Sequence, residues 1–218
     1  MQTCKFTLEH YEFILKTALK AGYKFVGFDE KLPEQCCILR HDVDYMPEWA
    51  LRLGQIENRL GVKSTFFFQV SASTYNLGSF YNRCLVKGLL NLGHSVGVHV
   101  DLSGVDDVGV VVKEKKLFEL VTGIKPCEIV SVHNPCKDLF GKNISGIRHT
   151  YEKEYFKDIK YLSDSRNWYE GCVCKIFDSK KYNRIQLLTH PYIWHNCSEG
   201  FVNNIVKVTI YFIYTNNI

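Results

Sequence analysis

Five segments with strand character each run into an ionisable or metal-capable side chain, and helical segments separate them. Residues 37–40 lead into His41-Asp42-Val43-Asp44, 95–98 into His99, 128–132 into His133, 160–163 into Asp164 and 185–189 into His190. Residues 24–28 and 65–70 add two further strand candidates, the second rich in phenylalanine. Between them, apolar residues recur at helical spacing. Leu8, Tyr11, Leu15, Ala18 and Leu19 form one stripe, and Trp49, Leu53, Ile56 and Leu60 another behind Pro47. Tyr81, Cys84, Leu85, Leu89 and Leu92 form a third, and 110–121 supplies a fourth helix. Glycines at 22, 61, 93 and 123 close these stretches. Strand, helix, strand at this spacing requires right-handed crossovers and a parallel sheet. Seven or eight such strands suggest a small, irregular (β/α) barrel, with an open doubly wound sheet as the competing layout. In both, the carboxyl ends of the strands lie on one face, where residues from Asp42 to His190 can meet.

Composition removes several alternatives. The chain has 218 residues, of which 46% are hydrophobic, with only 5 prolines and 15 glycines, so disorder is excluded. A net charge of +4, spread along the chain, gives no argument for a nucleic-acid partner. Nine cysteines are an odd number with no C-x-x-C pair, so they read as reduced thiols rather than a disulfide framework. Cys172 and Cys174, if extended, share a strand face as core thiols. The N-terminus enters an amphipathic segment instead of a signal-type apolar run. Residues 205–214 are apolar but short and interrupted by Lys207, so no transmembrane segment is expected. The expectation is a single domain over 1–218 in the cytoplasm, with no oligomeric state indicated.

The strand ends carry the chemistry. In extended backbone Asp42 and Asp44 share a face about 6–7 Å apart, and His41 points away. Such a pair can divide labour, one carboxylate ligating a cation and the other accepting a proton; the competing role is capping of the helix behind Pro47. His94 and His99 face opposite ways and lie roughly 16 Å apart, so they cannot share one ion. His99, at the strand end, is the better ligand, and His94 the structural one. With Asp44 and His133 it makes an Asp-His-His set, a mixed nitrogen–oxygen site suited to Zn²⁺ or a similar divalent metal with a position left for water. His190 stands in Thr-His-Pro-Tyr-Ile-Trp194 beside aromatic residues of the kind that stack on sugar rings. Asp164 supplies a carboxylate that could orient an imidazole and raise its pKa.

Taken in order, Arg40-His-Asp-Val-Asp44, Ser64-Thr-Phe-Phe-Phe68, Gly93-His-Ser-Val-Gly-Val-His99, Ser131-Val-His-Asn-Pro135 and Leu188-Thr-His-Pro191 resemble the polysaccharide deacetylase superfamily (NodB homology, carbohydrate esterase family 4). The similarity is to its "RHDVD" branch, often linked to bacterial surface-polysaccharide synthesis, and it covers residues 5–195. The resemblance implies a distorted (β/α)₇ TIM-like barrel of NodB type and metal-dependent hydrolysis of N- or O-acyl groups on an acylated sugar or oligosaccharide. It makes Asp42 the general base, Asp44 and His99 metal ligands, and His190 the general acid; the reading of the residues themselves adds Asp164 as the carboxylate that orients His190.

The sequence departs from that pattern in two places. The family's His-x-x-x-His would put a second ligand at Ser103, so His133 is the replacement ligand, at a position where the third motif ordinarily presents an arginine. Arg40 and Arg166 are the candidates for the displaced arginine. The chain also ends about 24 residues after Trp194, which suggests a shortened C-terminal end relative to the family. Two other functions are compatible with these residues: an inactive barrel that binds a glycan or a protein, and an amidohydrolase for small non-sugar amides.

Overall fold

The computed structural model describes residues 4–102, 108–166 and 171–194. Seven strands and six α-helices alternate along the chain: α1 Leu8–Lys20, β1 Lys24–Phe25, β2 Cys36–Val43, α2 Glu48–Arg59, β3 Thr65–Phe68, α3 Phe80–Asn91, β4 Ser95–Asp101, α4 Val108–Thr122, β5 Ser131–His133, α5 Lys153–Phe156, β6 Lys160–Ser163, α6 Val173–Asp178 and β7 Arg184–Thr189. Helix ends follow local chemistry. The Thr7 hydroxyl accepts the His10 N–H at the start of α1, and Ser79 does the same for Asn82 before α3. Past the last turns of α3 and α4, Gly93 and Gly123 take positive φ values of 85° and 71°, which a side chain would resist.

All strands pair in parallel, in the order β5-β4-β3-β2-β7-β6. The longest, β2, is buried along its whole length and lies at the centre. One of its edges is covered by β7, and the other is shared: β1 pairs Cys36 and Cys37, and β3 pairs Arg40 to Val43. A flat sheet would hold β5 and β6 about 24 Å apart at ~4.8 Å per strand. Val132 of β5 and Tyr161 of β6 nevertheless line one pocket, and the Arg40 guanidinium carbon lies 5.9 Å from the Tyr161 ring. The sheet is therefore curled into a distorted (β/α) barrel with helices outside, as the alternation of elements and the family resemblance lead one to expect.

Strand period sorts the residues of β2 into two environments. Cys37, Leu39 and Val43 join the core between sheet and helices, with Tyr11, Ile14 and Leu15 of α1 and Ala50, Leu53 and Ile56 of α2. Cys36 and Ile38 turn into the barrel, against Val26, Phe28, Phe67, Ile129, Tyr155 and Ile159. The same inner row continues upward as Arg40 and Asp42. The barrel interior thus changes from apolar at its base to charged at the carboxyl end of the strands. That change builds the site.

One sequence expectation is corrected. Cys172 and Cys174 do not share a strand; Cys172 caps α6 and Cys174 lies in its first turn. The segment 136–158, which has no clear period, folds as a short 3-10 turn at Lys137–Leu139, isolated bridges and the four-residue α5. Ser103, Trp168, residues 205–214 and the C-terminal end lie outside the described residues, as does the Arg166 side chain. Among the described residues no helix is long and apolar enough to cross a membrane.

Candidate active site

A cavity of about 750 Å³ opens at the carboxyl ends of the strands, lined by Asp42, Asp44, His99, His133 and His190 together with Tyr151, Tyr161 and Tyr192. Five of the six residues singled out from the sequence line it directly. The sixth, Asp164, stands behind His190.

Asp42 is at the top of the inner row of β2 and is 2% exposed. Its Oδ2 accepts hydrogen bonds from Arg40 Nη2 at 3.2 Å and from the Ser131 hydroxyl at 2.9 Å. Its Oδ1 is buried with no hydrogen-bond partner among the described residues. Burial alone would push this carboxyl up. The Arg40 guanidinium, the His99 and His190 imidazoles and the Ser131 hydroxyl outweigh it and hold the group below the usual carboxylate range. Arg40 is itself completely buried. Its Nη1 donates to Gln186 Oε1 at 3.2 Å and its Nη2 to the Tyr151 hydroxyl at 2.7 Å, and the guanidinium stacks over the Tyr151 ring. Of the two arginines considered from the sequence, Arg40 meets Asp42, and the Arg166 side chain lies outside the described residues.

Asp44, His99 and His133 place one donor atom each within 4.8 Å of the others. His99 Nε2 lies 3.1 Å and His133 Nε2 3.9 Å from Asp44 Oδ1. The loop after β3 fixes Asp44: Gln69 Nε2 donates to its carboxylate at 3.2 Å, and the Thr74 hydroxyl donates to its carbonyl at 2.6 Å. The second nitrogen of His99, Nδ1, is 3.1 Å from the Ser131 carbonyl. That contact requires the proton on Nδ1 and leaves an Nε2 lone pair facing a carboxylate, an arrangement that needs a cation or a proton between them. One carboxylate and two imidazoles are also the donor types a divalent ion such as Zn²⁺ takes, so the residues present fit such a group. His133 is the least enclosed of the three, its side chain 27% exposed.

His190 sits at the opposite wall. Its Nδ1 is 2.6 Å from Asp164 Oδ1, its backbone N–H donates to Asp164 Oδ2 at 2.7 Å, and the Trp194 indole N–H donates to the same oxygen at 2.9 Å. Its Nε2 points into the cavity, 3.8 Å from Asp44 Oδ2. Burial would lower the His190 pKa, but the hydrogen bond and charge of Asp164, with Asp42 and Asp44 beyond, raise it overall. Trp194 is no sugar-stacking wall: it is fully buried behind Asp164, and Tyr192 faces the cavity in its place.

His41 and His94 stay out of the site. Both turn to the helix side of the sheet and meet the buried Glu57, at 2.9 Å and 3.5 Å. Neither Asp42 nor Asp44 caps the following helix, whose N-cap is Pro47. Sequence reasoning missed Ser131 and Tyr151. Ser131 was legible, because it shares strand parity with His133. Tyr151 was not, because it arrives from an irregular segment.

No protein-family model matches the chain, and no curated protein sequence matches it. Solved structures with a similar fold include a family 4 carbohydrate esterase pseudoenzyme from Bacillus anthracis (16% identity over 84% of this chain, TM-score 0.45). Others are a family 4 acetyl xylan esterase from Clostridium thermocellum holding a cobalt ion (12%, 82% of this chain and 83% of that one, TM-score 0.43) and a family 4 carbohydrate esterase from Bacillus anthracis (15%, 89% and 81%, TM-score 0.44). The chain spans 63% of the length of the pseudoenzyme. The chemistry rests on the side chains of this chain.

Proposed function

We propose that this protein is a metal-dependent deacylase that removes an N- or O-acyl group, in the simplest case acetyl, from a sugar or oligosaccharide. The observation that carries this reading is the arrangement inside one cavity. An ionised carboxylate with a free oxygen stands on one wall, an Asp-His-His donor set lies beside it, and an imidazole backed by a buried carboxylate stands on the other wall.

Asp44, His99 and His133 would hold a divalent metal, which when bound supplies Lewis-acid polarisation of an acyl carbonyl and acidifies water. Asp42 is the base. Arg40 and Ser131 fix its Oδ2, so the unpartnered Oδ1 is the atom that accepts a proton from the attacking water. Its lowered pKa keeps it ionised at neutral pH. His190 is the acid. Asp164 holds Nδ1, fixes the ring and stabilises the imidazolium, so Nε2–H faces the cavity and can protonate the departing sugar amine or alkoxide. Tyr161 and Tyr192, both only partly buried, give the cavity aromatic faces suited to pyranose rings. The sequence resemblance supports a setting in bacterial surface-polysaccharide metabolism.

The test is product analysis on protein loaded with zinc or cobalt, offered N-acetylated and O-acetylated sugars, N-formyl sugars and short non-sugar amides. Acetate release from acylated sugars supports the reading. Release from short amides alone assigns an amidohydrolase, and retention of sugar without turnover assigns a binding module.

A further inference from the structure

A second cluster of metal-capable side chains lies outside the cavity, where the N-terminal segment and α1 meet α6. Cys4, from the segment before α1, meets His10 of α1 and the pair Cys172 and Cys174 at the start of α6, and one donor atom from each falls within 4.8 Å of the others. His10 Nε2 is 3.3 Å from Cys172 Sγ, Cys172 Sγ is 3.1 Å from Cys174 Sγ, and Cys174 Sγ is 3.9 Å from Cys4 Sγ. Tetrahedral zinc with Zn–S near 2.3 Å and Zn–N near 2.0–2.1 Å requires about 3.8 Å between two sulfurs and about 3.5 Å between sulfur and nitrogen. The Cys174–Cys4 and His10–Cys172 contacts come within about 0.2 Å of those values, and the Cys172 and Cys174 sulfurs, 3.1 Å apart, would have to part by about 0.7 Å.

The histidine is prepared for the role. Its Nδ1 lies 2.7 Å from the Lys5 carbonyl, which accepts a hydrogen bond from Nδ1–H and leaves the Nε2 lone pair directed at the Cys172 sulfur. The ring is buried beside Phe13 and Trp194, so its orientation is set by packing. Cys172 and Cys174 are buried as well, and Cys4 is exposed on the open side. Four convergent donors, three of them soft sulfurs, form a closed set suited to a structural ion, in contrast to the three hard or borderline donors of the cavity.

We infer that Cys4, His10, Cys172 and Cys174 form a Cys₃His zinc site that ties the N-terminal segment and α1 to α6. This site is independent of the deacylase reading, because none of its ligands lines the cavity. The ion replaces the thiol protons of the cysteines, which leave to solvent, and there is no change in oxidation state.

Cobalt(II) titration of the reduced full chain, followed by near-ultraviolet absorption, tests it. Thiolate ligation gives intense sulfur-to-cobalt charge-transfer bands, which an Asp-His-His site cannot produce. The wild type and a His133→Ala variant should show these bands at about one equivalent per chain, and zinc should abolish them. Cys172→Ser and Cys174→Ser should lose most of the intensity. Should those variants fail to fold, release of zinc from the wild type by a mercurial thiol reagent, also at about one equivalent, reads the same site. Cobalt binding without charge-transfer bands would overturn the inference, and so would a disulfide joining these cysteines in the protein as purified.

Discussion

His190 Nδ1 and Asp164 Oδ1 lie 2.6 Å apart, with the other Asp164 oxygen held by the His190 backbone N–H and the Trp194 indole. A carboxylate fixed at both oxygens cannot turn away from the imidazole, so the pair behaves as one acid. In the proposed mechanism its protonated form serves the leaving group, and the raised His190 pKa carries that form to higher pH. Asp164→Asn should therefore move the alkaline limb of the pH–rate profile to lower pH and reduce kcat by roughly 10²–10⁴. Initial rates across pH for both proteins give the comparison. An unmoved limb would remove His190 from the acid role.

In the proposed site His133 takes the place of a ligand that the family resemblance puts at Ser103. Losing a hydrogen-bond partner of a ligand typically weakens metal binding 10–100-fold, so losing a direct donor should cost at least about 100-fold. Competition with a chromophoric chelator measures this for His133→Ala at the cavity site, read on the metal fraction that thiol reagents do not release. Unchanged affinity would assign His133 to the substrate side.

Glu57 holds the helix face of the sheet together. It accepts from Tyr11 and Ser64 and pairs with His41 and His94. Burial pushes its carboxyl up, but these partners outweigh burial and bring it from 4.5 to about 2. A depressed carboxylate adds stability that is present above the unfolded pKa and lost as pH falls through the folded one. The window here runs from about 4.5 down to about 2, with on the order of 3 kcal/mol at stake. Glu57→Gln should lower neutral-pH stability by about 1–3 kcal/mol, since it breaks a buried network and leaves polar partners of the carboxylate unsatisfied. It should also flatten the acid dependence. Denaturant unfolding at several pH values measures both.

Gly97 lies where β4 is closely packed against Phe67 and Cys127. A Cβ there would meet Cys127 Sγ and a Phe67 ring carbon at 2.7 Å. Phe67 has no room to retreat, because it is fully buried in the inner core. Gly97→Ala should cost about 1–3 kcal/mol of stability. Thermal unfolding should show a midpoint lower by roughly 2–4 °C per kcal/mol.

Much of this architecture is legible in the residues alone. Alternating strand and helix periods imply a parallel sheet, and parallel strands must present Asp42, Asp44, His99, His133, Asp164 and His190 on one face. Parity also separates His41 from Asp42 and His94 from His99, and the structure places each pair on opposite sides of the sheet. Period carries no information where the backbone is irregular. Tyr151 comes from such a segment, so its stacking on Arg40 could not be foreseen. Long-range thiol contacts are equally silent: Cys4 and Cys174 are 170 positions apart, and only the packing of α1 on α6 brings them together. The aromatic run Tyr192-Ile193-Trp194 misleads for a related reason. Burial, and not residue type, decides which ring faces the cavity.

The account depends most on Asp42 being a base beside a metal rather than a ligand to it. Metal content per chain and acetate release, measured together on the wild type and Asp42→Asn, test this directly. The account predicts wild-type release, loss of at least about 10³-fold in the variant, and equal metal in both. Metal lost along with activity, or activity kept without the carboxylate, would contradict it.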